Sequence, residues 1–566
     1  MLLLAPCLVI ADVVCEIVQP ELMSKIVDAG VGQKNLHYIL QTGGIMVILS
    51  IVAIAANVGN IYCSSHASVG FSAELRKGLF NKIQEFSFSG LDKLNSASLV
   101  TRVTNDVNIL QEVIMMSLRL LIRAPLMLVF AVVIAVRINA GLASVIAVAI
   151  PVLALSIYVI LRRGLPFFEQ VQRQLDRVNG VIQENLVNVR VVKSFVREDF
   201  ENKKFGRTND ELREISIKAS GVVVLIMPVM QLVMNLSIAA IVWFGGNKII
   251  AGHFQVGQLM SFITYITQIL MSLMMLSMTI MTFSRSEASS RRILEVLNMP
   301  ADITDSVSAV QNNPSIKKGS VEFQNVFFKY HPDSDEYVLK NISFTAEAGQ
   351  NIAIIGATGS AKSTLVQLIP RLYEATKGRI LVDGRNVSDY TMLKLRTGIS
   401  MVLQQNELFS GTIQQNLRWG DIHATDDAVI AAAKDAQAHD FIMSFPNQYE
   451  TVLGQGGVNL SGGQKQRLCI ARAILRKPAI LILDDSTSAV DMATEAKINH
   501  SLSSHLPGTT IFIIAQRINS ILGADKIILV DQGEITGSGT HPELMKTSAV
   551  YQEIYNSQQL KEMPAN

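Results

Sequence analysis

The first half of the chain is built from long apolar stretches. A helix needs roughly 20 residues to cross about 30 Å of hydrocarbon, and apolar windows of that length recur before residue 300. They lie near residues 2–27, 39–62, 112–136, 142–161, 221–244 and 257–283. This pattern predicts an all-α membrane domain with six spans.

Two long polar segments, between spans two and three and between spans four and five, carry most of the Lys and Arg of this half. Basic residues concentrate on the cytoplasmic side of membrane proteins. We therefore expect both segments and both termini to face the cytoplasm, in a multi-pass protein of the plasma (cell inner) membrane. Apolar residues at helical spacing, such as Leu186, Val189 and Val192, indicate that helices continue below the membrane.

The pattern changes after residue 297. Residues 298–318 lack periodicity and contain Pro300 and Pro314, so we interpret them as a linker. Strand-like runs at residues 321–328, 352–355 and 480–483 then alternate with helical stretches, which predicts a soluble α/β domain over residues 319–560, with 561–566 as a C-terminal tail. The expected fold is thus an all-α membrane domain of residues 1–297 fused to this α/β domain. No motif described below occurs twice, so the chain is expected to be one half of a two-site assembly.

Composition agrees with a membrane protein. Apolar residues make up 49% of the chain and charged residues 17%, and the mean hydropathy is +0.33, a balance that a soluble protein of this size would not show. The net charge of +2 lacks the basic excess of nucleic-acid binding proteins, so we expect no nucleic-acid partner. The four cysteines form no metal or disulfide pattern.

A glycine-rich loop follows the strand that ends at Ile355. Its spacing is that of a P-loop that opens a helix, in which backbone N–H groups hold phosphates. Lys362 is expected to reach the β- and γ-phosphates of ATP, and the Ser363 hydroxyl to ligate Mg²⁺. The Gly expected before the Lys is Ala361, whose Cβ either narrows the phosphate approach or is absorbed by a small backbone shift. The nucleotide-binding residues predicted here are Gly356, Thr358, Gly359, Ser360, Ala361, Lys362, Ser363 and Thr364.

A chance glycine-rich turn is the alternative for that loop alone, and a second element argues against it. The apolar strand at residues 480–483 ends in Asp484 and Asp485, as a Walker B strand does, and Asp484 is expected to hold Mg²⁺. Just upstream, residues 460–464 read LSGGQ and precede a good helix. Together these motifs resemble the ABC transporter family, in the family's order and spacing.

The resemblance implies further roles. Tyr330 resembles the aromatic residue that stacks on adenine, and Gln404 the glutamine that senses Mg²⁺ and the γ-phosphate, which makes it a candidate for both catalysis and metal binding. Asp491 resembles the aspartate that communicates with the opposite site. In this family the signature segment binds the ATP held by the other subunit, through Ser461, Gly462, Gly463 and Gln464.

Three departures from the family pattern fall on the half-site that this chain offers its own ATP. Asp485 stands where the family has a general-base Glu, Gln516 stands where it has the switch His, and Ala361 replaces a Gly. A carboxylate one methylene shorter sits about 1.5 Å back, and errors near 1 Å can cost roughly a hundredfold in rate. The signature segment is intact. The combination resembles the degenerate-site subunit of a bacterial heterodimeric exporter; neutral drift in a homodimer with two weak sites is the alternative.

Six spans fused ahead of the nucleotide domain resemble the exporter (type IV) architecture. The resemblance predicts an ATPase that exports amphipathic, multidrug-type molecules from the membrane, together with a second half-transporter that has the Walker B Glu and the switch His. A homodimeric lipid or peptide exporter and a non-hydrolysing regulatory subunit remain alternatives. Coupling helices are expected near residues 89–97 and 196–204. The family's elbow helix before span one is missing from this sequence; either the start is trimmed, or the chain enters the membrane in an unusual way.

Ionisable residues occur inside the predicted spans. Asp12 and Glu16 share a face of span one, as Arg119 and Arg123 do on span three, because residues four apart lie on one side of a helix. Charges at membrane depth are costly and usually face a cavity or a partner. They either line a polar translocation path or lie near the membrane surfaces in contact with water.

Overall fold

A computed structural model describes residues 1, 3–300, 302–331, 334–486 and 489–562, without the side chains of residues 161, 165, 277–282, 284, 285 and 559–562. Its contacts divide the chain into two compact units. The first unit comprises Met1–Gln84 and Ala97–Met299, and the second comprises Glu85–Ser96 and Pro300–Asn566. The predicted first coupling segment thus groups with the second unit.

Up to Asn298 the described chain is helical. Its α-helices are α1 (Leu4–Lys25), α2 (Leu36–Gln84), α3 (Phe88–Lys93), α4 (Ser96–Thr101), α5 (Val107–Met116), α6 (Ile122–Ile138), α7 (Ala140–Val187), α8 (Val189–Ser194), α9 (Glu198–Val224), α10 (Ile226–Ile250) and α11 (Val256–Asn298). Short π-helical turns join several of them, at Ile26–Val31, Arg102–Asp106 and Ser117–Leu121.

Five stretches of the described residues are long and apolar enough to cross a membrane. They are Leu36–Gln84, Ser96–Ile138, Ala140–Val187, Glu198–Ile250 and Val256–Leu276. The first predicted window instead forms α1, whose apolar sequence includes the three acidic residues Asp12, Glu16 and Glu21, and its crossing of the membrane stays a prediction. The expected helical membrane domain is confirmed.

The first unit buries one apolar core between its long helices. Val13 of α1, Ala131 of α6, Leu142 of α7, Ile241 of α10 and Tyr265 of α11 are all fully buried in it. Large apolar side chains elsewhere on these helices are exposed. Such a surface is what lipid-facing helices require, since lipid tails are as apolar as the side chains they meet.

Charged residues of the first unit pair with one another. Arg123 forms an ion pair with Glu16, and its Nε lies 3.7 Å from Asp12 Oδ2. Asp106 is fully buried and accepts hydrogen bonds from Ser289 Oγ at 2.9 Å and from Arg292 Nε at 2.8 Å. Each buried carboxylate therefore has a cationic partner, which reduces the cost of removing it from water.

The second unit is α/β. Its strands are β1 (Val321–Phe328), β2 (Leu339–Ala346), β3 (Asn351–Ile355), β4 (Lys377–Val382), β5 (Arg385–Asn386), β6 (Ile399–Val402), β7 (Gly411–Thr412), β8 (Val452–Leu453), β9 (Ile480–Asp484), β10 (Thr510–Ile514), β11 (Lys526–Asp531) and β12 (Glu534–Gly539). Its further helices are α12 (Val307–Asn312), α13 (Lys362–Gln367), α14 (Met392–Thr397), α15 (Ile413–Arg418), α16 (Asp426–Asp435), α17 (His439–Met443), α18 (Gly462–Leu475), α19 (Met492–His505), α20 (His541–Thr547) and α21 (Ala549–Glu562).

The strands form two larger sheets and a small one. An antiparallel sheet has the order β2-β1-β4-β5, and a mostly parallel sheet has the order β12-β11-β3-β10-β9-β6, with β12 antiparallel at its edge. In the parallel sheet, alternate residues of β9 are buried in different apolar cores. Leu481 and Leu483 belong to the core on one face of the sheet, and Ile480 and Ile482 belong to the core on the other. Strands buried on both faces must be apolar throughout, which is why these runs were recognisable in the sequence. The expected α/β fold is confirmed.

Two segments predicted from sequence to connect other elements contain helices. The stretch interpreted as a linker, 298–318, contains the helix α12, whose first turn is capped by the Ser306 hydroxyl. In the second predicted coupling segment, residues 196–204, Val196 has a left-handed backbone with φ 51°, and the helix α9 begins at Glu198; its role in coupling stays a prediction.

Asp383 anchors the beginning of the second unit's sheet. It lies in the turn between β4 and β5, and its two carboxylate oxygens accept hydrogen bonds from four consecutive backbone N–H groups, those of residues 317–320, at 2.7–3.1 Å. Burial alone would raise the pKa of Asp383, but the four donors outweigh it and hold the pKa below its usual value.

We expect Asp383→Asn to lower the free energy of unfolding by about 1–3 kcal/mol, the cost of losing hydrogen bonds to a charged group. Asn tolerates the left-handed backbone at this position, where φ is 49°, so the substitution tests the charge. Because the pKa is lower in the folded state, the stabilisation is complete above the unfolded pKa and is lost as the pH falls through the folded pKa.

Thermal unfolding of the full-length protein in detergent checks this. The difference between wild type and variant should be largest near pH 7 and should shrink below about pH 4. An equal difference at both pH values would contradict the assignment of the effect to the carboxylate charge.

Candidate functional site

Four neighbouring parallel strands bring the predicted site residues to one edge of the sheet. β3, β10, β9 and β6 are adjacent and parallel, so their carboxyl ends meet at the same edge, where ligands of open α/β sheets bind. Gly356 follows β3, Asp484 ends β9, and Gln516 and Gln404 each lie two residues beyond the ends of β10 and β6. Residues more than a hundred positions apart in sequence are thereby assembled.

A cavity of about 690 Å³ lies at this edge. It brings together most of the predicted residues: Tyr330, Gly356, Thr358, Gly359, Ala361, Lys362, Ser363, Thr364, Gln404, Asp484, Asp485 and Gln516. Ser360 is buried behind the loop, and its Oγ accepts a hydrogen bond from Lys362 Nζ at 3.4 Å. Residues 461–464 and Asp491 do not line this cavity.

The P-loop lysine lies against its own loop. Lys362 Nζ donates to the carbonyl oxygens of Gly356 at 2.9 Å and Ala357 at 2.7 Å. Burial lowers the pKa of Lys362, while the nearby carboxylates of Asp485 and Asp484 act in the opposite direction. An ammonium group is thus held against the glycine-rich loop, and a P-loop with its lysine is suited to polyphosphate.

Ala361 stands at a backbone conformation that favours glycine. Its φ and ψ are 71° and 24°, in the left-handed region, and it is the residue before the first turn of α13. A Cβ in this region costs roughly 1–2 kcal/mol. The backbone of Ala361 has therefore not shifted out of the conformation that favours glycine. Because an alanine in this conformation is strained, Ala361 costs local stability.

Two of the three residues predicted to hold a metal ion, Ser363 and Asp484, are in contact. Ser363 Oγ donates to Asp484 Oδ1 at 2.8 Å, and Asp484 is almost fully buried. Burial raises the pKa of Asp484, and the neighbouring charge of Asp485 adds to this, although Ser363 and Lys362 oppose it. Gln404 lines the same cavity.

Asp485 and Gln516, which stand in the general-base and switch positions, are hydrogen-bonded to each other. Gln516 Nε2 donates to Asp485 Oδ2 at 2.7 Å. Burial raises the pKa of Asp485, while the hydrogen bond from Gln516 and the charge of Lys362 lower it. Asp485 has a left-handed backbone with φ 49°, which Asp adopts more readily than most residues.

The aromatic residue predicted to stack on a base lies at the cavity wall. Tyr330 Oη shares a hydrogen bond of 2.7 Å with Thr364 Oγ1. Its ring packs edge-on against Tyr373, with centroids 5.2 Å apart. Tyr373 Oη donates in turn to Asp92 of α3 at 2.8 Å, and burial with this carboxylate raises the pKa of Tyr373.

The signature segment begins a helix some distance along the chain. Ser461 is the N-cap of α18: its Oγ accepts from the Gln464 backbone N–H at 3.3 Å, while the Gln464 side chain accepts from the Ser461 N–H at 2.9 Å. This reciprocal pair is a capping box. It explains the Ser and Gln of the motif and leaves an exposed helix N-terminus suited to an anion.

The two glycines of that segment differ in their surroundings. A Cβ on Gly463 would lie 2.8 Å from the backbone oxygen of Ala489, whereas one on Gly462 would meet only Ala489 Cβ at 3.6 Å. The Ala489 N–H also donates to Gln466 Oε1 at 3.0 Å. Asp491, two residues on, accepts from the Thr494 N–H at 2.9 Å and caps α19.

Sequence reasoning missed the contribution of the last helix. Val550, Ile554 and Gln558 of α21 line the cavity from one helical face. Their four-residue spacing indicates one face of a helix, but it does not show what that face contacts, and no known motif includes these residues. Tyr373, whose ring packs against Tyr330, was also missed, because no known motif includes it.

Comparison with known proteins decides the family. The model of the ABC transporter transmembrane region matches residues 2–273, and that of the ABC transporter matches residues 339–488. The ABC transporter ATP-binding protein YfiB of Bacillus subtilis (strain 168) is 44% identical over 97% of this chain and 95% of its own. The chain belongs to the ABC transporters.

Other proteins similar to this ABC transporter include a named flippase and an exporter of known structure. An ATP-dependent lipid A-core flippase of Syntrophus aciditrophicus (strain SB) is 33% identical over 86% of this chain and 80% of its own. The structure of a bacterial Atm1-family ABC exporter with ATP bound is similar over 100% of this chain and 98% of that one, with a TM-score of 0.83 and 25% identity. The transporter is therefore a multi-pass membrane protein of exporter fold, with a C-terminal ATP-binding domain whose ATPase activity is coupled to transport.

We expect Ala361→Gly to stabilise the ATP-binding domain by about 0.5–1 kcal/mol, because Gly removes the strain of a left-handed Ala but adds freedom to the unfolded chain. ATP should also bind a few-fold more tightly. Ala357 serves as the matched control, since it lies in the same loop without a positive φ. Thermal melting with and without ATP should show a gain for Ala361→Gly and none for Ala357→Gly; equal shifts for the two would contradict the strain.

Proposed function

We propose that this ABC transporter exports amphipathic small molecules across the plasma membrane as one half of a heterodimer. In this proposal its own Walker half-site is catalytically impaired, and its signature segment completes the competent site of the partner chain. The partner carries the general-base Glu and the switch His that this chain lacks.

The hydrogen bond between Gln516 and Asp485 carries the proposal. The 2.7 Å contact commits an N–H of Gln516 to the carboxylate, but an amide, unlike an imidazole, cannot take up a proton and carry positive charge near a γ-phosphate. The carboxylate itself ends one methylene short of a Glu. Both changes weaken general-base catalysis, which typically contributes 10²–10⁴-fold, in the site built on this chain's P-loop.

The signature segment supports the other half of the proposal. Its helix N-terminus is exposed and capped by Ser461 and Gln464, and an exposed helix N-terminus suits the γ-phosphate of ATP held by a second subunit. The signature segment is intact, whereas the half-site that binds this chain's own ATP has three departures from the family pattern. This difference is more consistent with two unequal ATP sites than with uniform drift in a homodimer.

ATP is expected to bind together with Mg²⁺. The Ser363 hydroxyl, the Asp484 carboxylate and the Gln404 amide offer only oxygen ligands toward one cavity, which is the ligand set Mg²⁺ prefers. These side chains would hold the ion, and its charge would offset that of the phosphates.

A lipid is the second candidate substrate. Relatives from two organisms, Syntrophus aciditrophicus and Desulfotalea psychrophila, are named ATP-dependent lipid A-core flippases and are each 33% identical to this chain. A flux assay in proteoliposomes should therefore offer an amphipathic dye and a fluorescent lipid in parallel. Transport of the lipid alone would replace the proposed substrate class with this one.

Gly462→Asp should abolish ATPase activity and flux, while Lys362→Ala should reduce them less. A donor at a closed phosphate site is worth roughly 10²–10³-fold, and the Asp would repel the γ-phosphate at the competent site, whereas Lys362 acts at the impaired one. Gly462→Ala is the matched control, because a Cβ fits there with ordinary 3.6 Å contact. Both substitutions are to be assayed in the complete heterodimer, and a larger turnover loss for Lys362→Ala would reverse the assignment of the two sites.

Combining Asp485→Glu with Gln516→His should raise ATP turnover at this chain's site. The change restores general-base reach and a protonatable switch side chain, although Glu fits the left-handed backbone of residue 485 less readily than Asp. Turnover of the assembled transporter should rise at least a few-fold. No rise would show that Ala361, or the partner's signature segment, limits the site instead.

A further inference from the structure

The C-terminal helix α21 packs along the ATP cavity and is fixed there by several independent contacts. Tyr551 is fully buried, and its Oη is hydrogen-bonded to His541 Nδ1 at 2.8 Å. Ile554 and Tyr555 pack against the core on that side of the sheet, and Gln552 Nε2 donates to the Met545 carbonyl at 2.6 Å. The position of the helix therefore does not depend on any one of these side chains.

Gln558, near the end of this helix, bridges the switch loop with both ends of its amide. Nε2 donates to the backbone carbonyl of Gln516 at 2.8 Å, and Oε1 accepts from the backbone N–H of Ile518, also at 2.8 Å. A planar amide that makes both bonds fixes the distance and the orientation of the backbone groups on either side of Arg517. Ile518 is itself buried in the core, so this end of the loop has a second support.

The bridge acts on the residue that contacts Asp485. The backbone of Gln516 is held by Gln558, and its side chain reaches the Asp485 carboxylate at 2.7 Å. A shift of the loop by 1 Å would break a hydrogen bond of this length. Positioning errors of that size cost up to a hundredfold in rate.

We propose that Gln558 is a positioning residue for ATP hydrolysis, which holds the switch residue 516 in reach of residue 485 through the backbone of the loop. The C-terminal helix is thereby part of the ATP site, although it lies outside the nucleotide motifs. The inference rests on the proposed function only in taking residues 485 and 516 as the catalytic pair.

The first test measures the bridge directly and does not require hydrolysis. Hydrogen–deuterium exchange of the full-length transporter in lipid nanodiscs should show faster exchange of the amides of residues 516–518 in Gln558→Ala. Gln552→Ala is the matched control, because it removes a glutamine of the same helix whose hydrogen bond is directed away from the loop. Unchanged exchange at 516–518 in Gln558→Ala, or equal changes in both variants, would overturn the proposal.

The second test measures catalysis in the chain that carries Asp485→Glu and Gln516→His. Adding Gln558→Ala should remove the gained turnover, lowering kcat by about tenfold with the KM for ATP changed less than about twofold, while Gln552→Ala should retain it. Retention of the gain in Gln558→Ala would overturn the proposal. If the parent double substitution shows no gain, Ala361 or the partner's signature segment limits the site, and the exchange measurement alone decides the role of Gln558.

Discussion

The parallel pairing of β3, β10, β9 and β6 is the constraint on which the ATP site depends. The four strands run side by side in one direction. Their carboxyl ends therefore bring four features to one edge of the sheet: the phosphate loop, the switch residue, the Walker B carboxylates and Gln404. The register is held by side chains buried in cores on both faces of the sheet. A one-residue slip would move every buried side chain of a strand to the other face, so the geometry of the site is fixed by the packing beneath it.

Much of this was predictable from sequence. The runs ending at Ile355 and Asp484 stood out because doubly buried strands are apolar throughout. The strand Val321–Phe328 stood out because its apolar residues recur between polar ones, and the phosphate loop because of its glycine spacing. Other features were not visible. The bond between Gln516 and Asp485 joins residues 31 positions apart, and the reach of α21 into the cavity depends on how the chain returns after β12. Such contacts arise from tertiary packing, which no local pattern encodes.

In the helical half, too, some features were predictable from the sequence and others were not. Length and apolarity marked the long helices, since a membrane imposes both. The pairing of Arg123 with two carboxylates of α1 could not be read from i, i+4 spacing, because it joins separate helices. It changes the interpretation of those residues, because the positive charge of Arg123 offsets part of the negative charge of the two carboxylates inside the first unit.

The carboxylate of Asp383 has a mechanical consequence for the second unit. Four successive backbone N–H groups just before β1 donate hydrogen bonds to this one side chain, which belongs to the turn after β4. β1 pairs with β4 in the same sheet, with Val321 opposite Val382. A pull on the chain before residue 317 would therefore act on the β4–β5 turn as well as on β1, so that two neighbouring strands of the sheet share it.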